Sequence, residues 1–514
     1  MRFEVISEPL ESLSADAVVE GLYQEDEPKI GEGYLLPELG KAILSELKRR
    51  QFDSKEGEVC VLPLLGNKKI KYLIVVGVGK KRNYEQDQLR SIGAKAAKAA
   101  NGVKIKKLIF HPDLIKRAKD VVEGVQGLTE GVELGGYNFS SYRKSTVQED
   151  AKKHRLEDIV FVSLDRQSKL KIEKGLENGK MISEAVCLAR DLVNTPSMDM
   201  HPEGMASVAQ SLAGRGTGIA CKVIDRAGME KLGMRASMAV GQGSVFEPKL
   251  VHLTYRPTSR VPRTTLREGR EKDVKKIALV GKAVTFDSGG LSLKPAEHMI
   301  DMKIDMAGAA SVLGVFKALP HLNLNVEVHG VFIAVENMPS GSAYRPGDVV
   351  SAMDGTTIEV ENTDAEGRIT LADAIAYSAL KIKPDAIIDL ATLTGAVIIA
   401  LGSDVTALLS SNKELKSALI NAASSAHESM WELPLYQPYK DLIKSKIADV
   451  KNVGGRPGGV ITAALFLEKF THNIPWAHLD IAGPSYCEKE TRPEWVIGGT
   501  GWGVRLLLNY LKNL

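Results

Sequence analysis

Seven charged side chains in the middle of the chain have the types and spacing to do chemistry together: Lys282, Asp287, Lys294, Asp305, Asp364, Glu366 and Arg368. Three of them fall in Asn362-Thr363-Asp364-Ala365-Glu366-Gly367-Arg368, two residues apart. In an extended segment alternate side chains point the same way, so Asp364, Glu366 and Arg368 would share one face. Two acids beside a guanidinium suit a site that holds hard cations and an anion together. A D-x-E pair alone is more often a solvated loop. The second cluster shifts that balance. Asp287 closes the apolar run that starts at Ile277, and Gly289 and Gly290 permit backbone approaches that a Cβ would forbid. Lys282 is out of place in this run of small and apolar residues, because desolvation disfavours a buried ammonium. Asp305 precedes a helix pattern over 307–319, and a helix N-cap is its plain alternative.

Three Asp and one Glu can bridge two divalent ions. Such two-ion sites, with ions roughly 3.5–4 Å apart, occur in aminopeptidases, phosphatases and nucleases. An amine such as Lys282 must be neutral to coordinate, and adjacent dications lower its pKa.

The elements that must position these groups read as α/β. The acidic segment lies between a strand pattern (356–360) and a helix pattern (371–380), a junction where α/β folds place ligands. Beyond residue 194, strand patterns at 326–335, 386–390 and 477–481 alternate with helix patterns at 311–319, 371–380 and 462–470. That is a three-layer arrangement. Residues 1–165 show strand patterns at 71–79, 107–110 and 159–162, with a helix pattern at 87–97. Gly77-Val78-Gly79 hints at a phosphate loop but lacks the rest of that fingerprint. The stretch 140–155 reads as exposed loop. A long helix over about 171–193 links the two parts and stops at Asn194-Thr195-Pro196. The expected domains are 1–170 and 171–514.

With these residues in place, the sequence resembles the leucyl aminopeptidase (cytosol aminopeptidase) family. The segments VGKAVTFDSGG, DMKIDMAGAA and NTDAEGRIT carry the resemblance, and it extends through Ala391–Ala396, 461–467 and 476–483. It covers roughly residues 175–514. The resemblance implies a smaller, macro-like N-terminal α/β domain and a larger C-terminal three-layer α/β/α catalytic domain with a mixed sheet. It implies a metal-dependent aminopeptidase that releases leucine and other apolar N-terminal residues from peptides. Asp287 and Glu366 would contact both of two divalent ions, Mn²⁺ or Zn²⁺. Asp364 would complete one metal site, and Lys282 and Asp305 the other. Lys294 would polarise the scissile carbonyl. Arg368 would hold a bicarbonate that serves as general base toward a metal-bridging hydroxide. Leu393 and Gly395 match backbone contacts to substrate, and Met302 matches a residue of the first side-chain pocket. A homohexamer is implied as well. Ala283 and Ile369 depart from the usual Gly and Leu, beside the proposed ligands and not at them.

A larger departure is the basic insertion 258–276, expected as a long hairpin loop between strand patterns at 250–255 and 277–280. A solvated loop is its plain reading, and a DNA-binding patch the sharper one. A two-metal phosphatase is the other alternative, which the ligand types alone permit. Composition fits a globular enzyme, with 44% hydrophobic and 25% charged residues. Lys+Arg 67 against Asp+Glu 64 gives +3, so charge demands no polyanionic partner. The four cysteines show no C-x-x-C spacing and read as reduced thiols. Met1–Glu8 has no apolar signal core and no run is long enough to span a bilayer, so a cytoplasmic protein is expected. His478, in an apolar strand, reads as a core histidine with no ligand role.

Overall fold

The computed structural model describes residues 1–24, 37–65, 67–83, 87–116, 118–146, 155–163, 165–257, 274–322 and 324–514. Contacts divide the chain into two compact units, Met1–Ser183 with Lys489–Val496, and Glu184–Glu488 with Ile497–Leu514. The boundary falls inside a 29-residue helix, Arg166–Asn194.

The first unit is built on a six-stranded sheet in the order Arg2–Ile6, Asp158–Val162, Lys107–Phe110, Ala15–Tyr23, Ile70–Gly79, Val59–Pro63. All neighbours are parallel except the last pair. Parallel strands need crossovers and cover on both faces, and their near-continuous apolar runs follow from that. The pair Gly77 and Gly79 is spent on structure. Their N–H groups donate to the carbonyls of Glu58 and Ser54 at 2.8 and 2.9 Å. A Cβ on Gly77 would meet the Lys55 carbonyl oxygen at 2.1 Å. The phosphate-loop hint is therefore withdrawn.

The second unit carries an eight-stranded mixed sheet, in the order Met430–Glu432, Thr406–Leu409, Trp476–Asp480, Ala386–Ala391, Lys275–Asp287, Val326–Asn337, Lys249–Tyr255, Ile219–Ile224. The four central strands, from Trp476–Asp480 to Val326–Asn337, are parallel. Helix Ala307–Ala318 packs on the sheet face that carries Gly281, where a Cβ would meet Ala309 at 2.5 Å. Helix Glu366–Tyr377 packs on the opposite face, with Gly367 against the Lys282 side chain.

One expectation about connectivity changes. Lys249–Tyr255 and Lys275–Asp287 are not a hairpin, because Val326–Asn337 lies between them and pairs with both. Helix Ala307–Ala318 lies in the connection between the parallel neighbours Lys275–Asp287 and Val326–Asn337. Of the basic insertion, 258–273 lie outside the described residues, as do 147–154 of the expected exposed loop. Lys275 and Lys276 belong to the strand, and the Lys276 N–H donates to Asp385 at 2.7 Å. No helix among the described residues is long and apolar enough to cross a membrane. Cys60 and Cys221 are free thiols.

The same sheet holds a pH-sensitive chain. His252 contacts the Tyr377 hydroxyl at 3.1 Å and His329 at 2.9 Å, and His329 contacts Glu327 at 2.8 Å. Burial, then the neighbouring His329 and Lys222, lowers the His252 pKa from 6.5 to about 4. A depressed folded-state pKa contributes stability that is full above pH 6.5 and is lost as pH falls toward 4. Between pH 7 and pH 4, His252→Gln is expected to lose about 2–3 kcal/mol less stability than the parent protein, read from urea midpoints. Equal losses in the two proteins would contradict this.

Candidate active site

The carboxyl ends of the four central parallel strands converge on one place, as expected for ligand sites in α/β sheets. Asp287, Asn337 and Asp480 are the last residues of three of these strands, and Thr392 to Thr394 follow the fourth directly. Lys282 and Asp287 are five residues apart, so plain alternation would send them to opposite faces. The register prevents that. Val284 pairs with Val335 and Phe286 with Glu336, which leaves Thr285 as an extra residue. This bulge flips the alternation and returns Asp287 to the Lys282 face.

Asp364 sits in the turn before helix Glu366–Tyr377, and Glu366 is the first residue of that helix. The extended-segment expectation for Asp364, Glu366 and Arg368 is thus corrected. Two helical steps turn Arg368 about 200° from Glu366. Its Nη1 donates to the Asn452 carbonyl at 2.8 Å. Asn452 also staples the preceding turn, accepting from the Glu361 N–H at 2.9 Å and donating to the Asn362 carbonyl at 2.7 Å. Gly367 is required by packing, since a Cβ there would lie 2.3 Å from Lys282 Cε. Gly289 and Gly290 have φ of +84° and +65°. A Cβ on Gly290 would also meet Asn337 Oδ1 at 2.8 Å.

Six of the seven charged groups form two linked bridges. Lys282 Nζ contacts Asp305 Oδ1 at 2.7 Å and Glu366 Oε1 at 2.8 Å. It also donates to the Thr392 carbonyl at 3.0 Å. Lys294 Nζ contacts Asp287 Oδ2 at 2.8 Å and also touches Asp364 Oδ1. Asp305 is not the N-cap of helix Ala307–Ala318, a place taken by Met306. Asp305 Oδ1 instead accepts from Thr392 Oγ1 at 2.7 Å. Asp287 Oδ1 accepts from the Gly289 N–H at 2.9 Å and from Asn337 Nδ2 at 2.8 Å. Asn337 Nδ2 also donates to the Thr363 carbonyl at 3.0 Å, which ties Asp287 to the acidic turn.

Crowding of like charge in a dry site sets the electrostatics. Burial, then the Glu366 charge, raises the Asp287 pKa to about 7. Burial also pushes Asp305 well above the usual carboxylate range despite Lys282, and raises Asp364 despite Lys294. Glu366 stays below its ordinary value, because Lys282 and Lys294 outweigh its burial. Burial opposes both ammonium groups, and the surrounding carboxylates more than offset it and hold both raised. Arg368 is lowered by burial to about 10 and remains a cation near neutrality.

This donor set fits divalent ions. Asp287, Asp364 and Glu366 offer oxygens within 4.8 Å of one another. The buried oxygens Asp305 Oδ2, Asp364 Oδ1 and Glu366 Oε1 accept no hydrogen bond, and the last two have ammonium contacts alone. Arg368 Nε is likewise buried without an acceptor.

A family model described as the cytosol aminopeptidase family, catalytic domain, matches residues 187–508. The chain belongs to the cytosol aminopeptidase family. The family's N-terminal domain matches residues 19–146. A "Probable cytosol aminopeptidase" of Persephonella marina is 39% identical over 522 residues, covering 100% of both chains. A relative of the same description from Aquifex aeolicus is 40% identical, covering 94% of each. Among solved structures, the bottromycin maturation enzyme BotP in complex with Mn is 34% identical, with a TM-score of 0.83, covering 97% of this chain and 99% of its own. A tomato leucine aminopeptidase variant is 30% identical, with a TM-score of 0.83, covering 100% and 96%. The chain is therefore a two-domain α/β hydrolase, an aminopeptidase that acts on peptides.

The remaining sequence-derived residues lie around the same strand ends. Leu393 is part-buried, and its N–H donates to Asp480 Oδ1 at 3.2 Å. Gly395 is exposed at the start of helix Gly395–Leu401, with open space where a Cβ would be. Met302 is part-buried in a short 3₁₀ turn, three residues before Asp305. His478 is fully buried with Nδ1 2.6 Å from Asp389, and it also feels the charges of Asp480 and Arg368. Sequence reasoning missed Asn337, Thr392, Asn452 and Asp480. The available signal for Asn337 and Asp480 was the one that marked Asp287, a polar residue closing an apolar strand. A cavity of about 830 Å³, lined in part by Lys440, Lys469, His472 and Trp476, lies at the amino end of strand Trp476–Asp480 and shares none of these carboxylates.

Proposed function

We propose that the chain removes leucine and other apolar residues from peptide N-termini at a centre of two divalent ions, Mn²⁺ or Zn²⁺. The observation that carries this reading is the pair of bridges, Lys282 between Asp305 and Glu366 and Lys294 between Asp287 and Asp364. Asp287 and Glu366 would serve both ions, Asp364 one of them, and Asp305 with Lys282 the other. When bound, the ions supply Lewis acidity, a water of lowered pKa and an anchor for the free α-amine.

The protein's own groups do the rest. Lys282 is held protonated by its carboxylates, and cations that neutralise those carboxylates would release its proton and free the amine as a ligand. Lys294 stays an ammonium and would stabilise negative charge developing on the scissile carbonyl oxygen. Arg368 is fixed by Asn452 through Nη1 and has Nε without an acceptor, which suits a small oxyanion. Bicarbonate held there would supply the general base. Met302, Leu393 and Gly395 would contact the peptide's first residues. A homohexamer is part of the same proposal and is read directly by sedimentation.

The test is a free α-amine requirement. Leu-Gly-Gly is expected to release leucine, and its N-acetylated form to be cleaved at least about 10³-fold more slowly. Equal cleavage of both would contradict an exopeptidase. Release of phosphate from p-nitrophenyl phosphate, without leucine release, would favour a two-metal phosphatase.

A further inference from the structure

We infer that Asp480 is a positioning residue for the peptide-facing loop 392–395, setting Leu393 and Gly395 in line with Asp305. The inference rests on the aminopeptidase reading. Strands Ala386–Ala391 and Trp476–Asp480 are parallel neighbours, with Ala391 opposite Asp480. Where the first strand ends, the loop is tied on two sides. On one side Thr392 donates to Asp305 at 2.7 Å, and its carbonyl accepts from Lys282 at 3.0 Å. On the other, Asp480 Oδ1 accepts from the Leu393 N–H at 3.2 Å, and Oδ2 from Thr394 Oγ1 at 2.7 Å. Thr394 Oγ1 in turn accepts from the Val397 N–H at 3.2 Å and caps helix Gly395–Leu401. Asp480 thus reaches Leu393 directly and the Gly395 helix through one hydroxyl.

Asp480 is fully buried, and a buried polar group is costly unless it is hydrogen-bonded, so its bonds to Leu393 and Thr394 account for its place there.

The test compares Asp480→Asn and Thr394→Val with the parent enzyme on a leucyl peptide, with bound metal measured in each. Asp480→Asn keeps the acceptor for Leu393 but disturbs the Thr394 bond; Thr394→Val removes the hydroxyl relay. KM is expected to rise at least about 10-fold in both, with metal content unchanged. A KM within about twofold of the parent in both would overturn the inference, whatever happens to thermal stability. Should Asp480→Asn fail to fold, Thr394→Val decides alone. Parent enzyme inactive on the peptide would remove the aminopeptidase reading itself; active parent with unmoved KM removes only this inference.

Discussion

Asp287→Asn is expected to fold normally and to lose at least about 10³-fold in kcat/KM on a leucine amide. Asn keeps an acceptor for the Gly289 N–H, so most of the local hydrogen bonding survives. What disappears is one negative charge from a crowd of four. Burial, with that crowding, already lifts the Asp287 pKa to about 7, so removing the charge relieves desolvation and repulsion in the ion-free protein. Thermal stability measured in chelator should therefore hold or rise, while metal retention falls. A variant that keeps both metal and activity would remove Asp287 from the centre.

Lys294→Met is expected to separate binding from chemistry. Met has similar reach and no charge. The substitution deletes a cation held between Asp287 and Asp364 and, on the proposed mechanism, the donor for the developing charge. Loss of one such donor costs about 10²–10³-fold in kcat. KM should change little, because the interaction strengthens only in the transition state. Metal affinity should rise, since an ammonium no longer competes for the same carboxylates. A raised KM with normal kcat would make Lys294 a substrate-binding group instead.

The grouping of these charged residues was legible because charged residues in apolar runs are rare and stand out. Lys282 and Asp287 could be grouped by type alone. How they reach one face was hidden, because it depends on a bulge at Thr285 that is visible only in the pairing with Val335 and Glu336. The i, i+2 spacing from Asp364 to Arg368 pointed to an extended segment. The segment is helical from Glu366 instead, with Gly367 packed against the Lys282 side chain. The strands were legible from apolar periodicity, and their order was not. A basic stretch between two strand patterns looked like a hairpin, although Val326–Asn337 separates them. Thr392 and Asn452 were missed because neutral polar residues carry no local signal, and Asn337 and Asp480 carried only that of closing an apolar strand. They matter through hydrogen bonds to partners 26 to 91 positions away.

The most direct test of the central claim is hydrolysis of a leucine chromogenic amide by purified protein, after chelation and after resupply of Mn²⁺ or Zn²⁺, beside Asp364→Ala. The expected result is loss on chelation, recovery with the ion and no recovery in the variant. Activity that survives complete metal removal, or a variant restored to parental rate, would contradict a carboxylate-held metal centre.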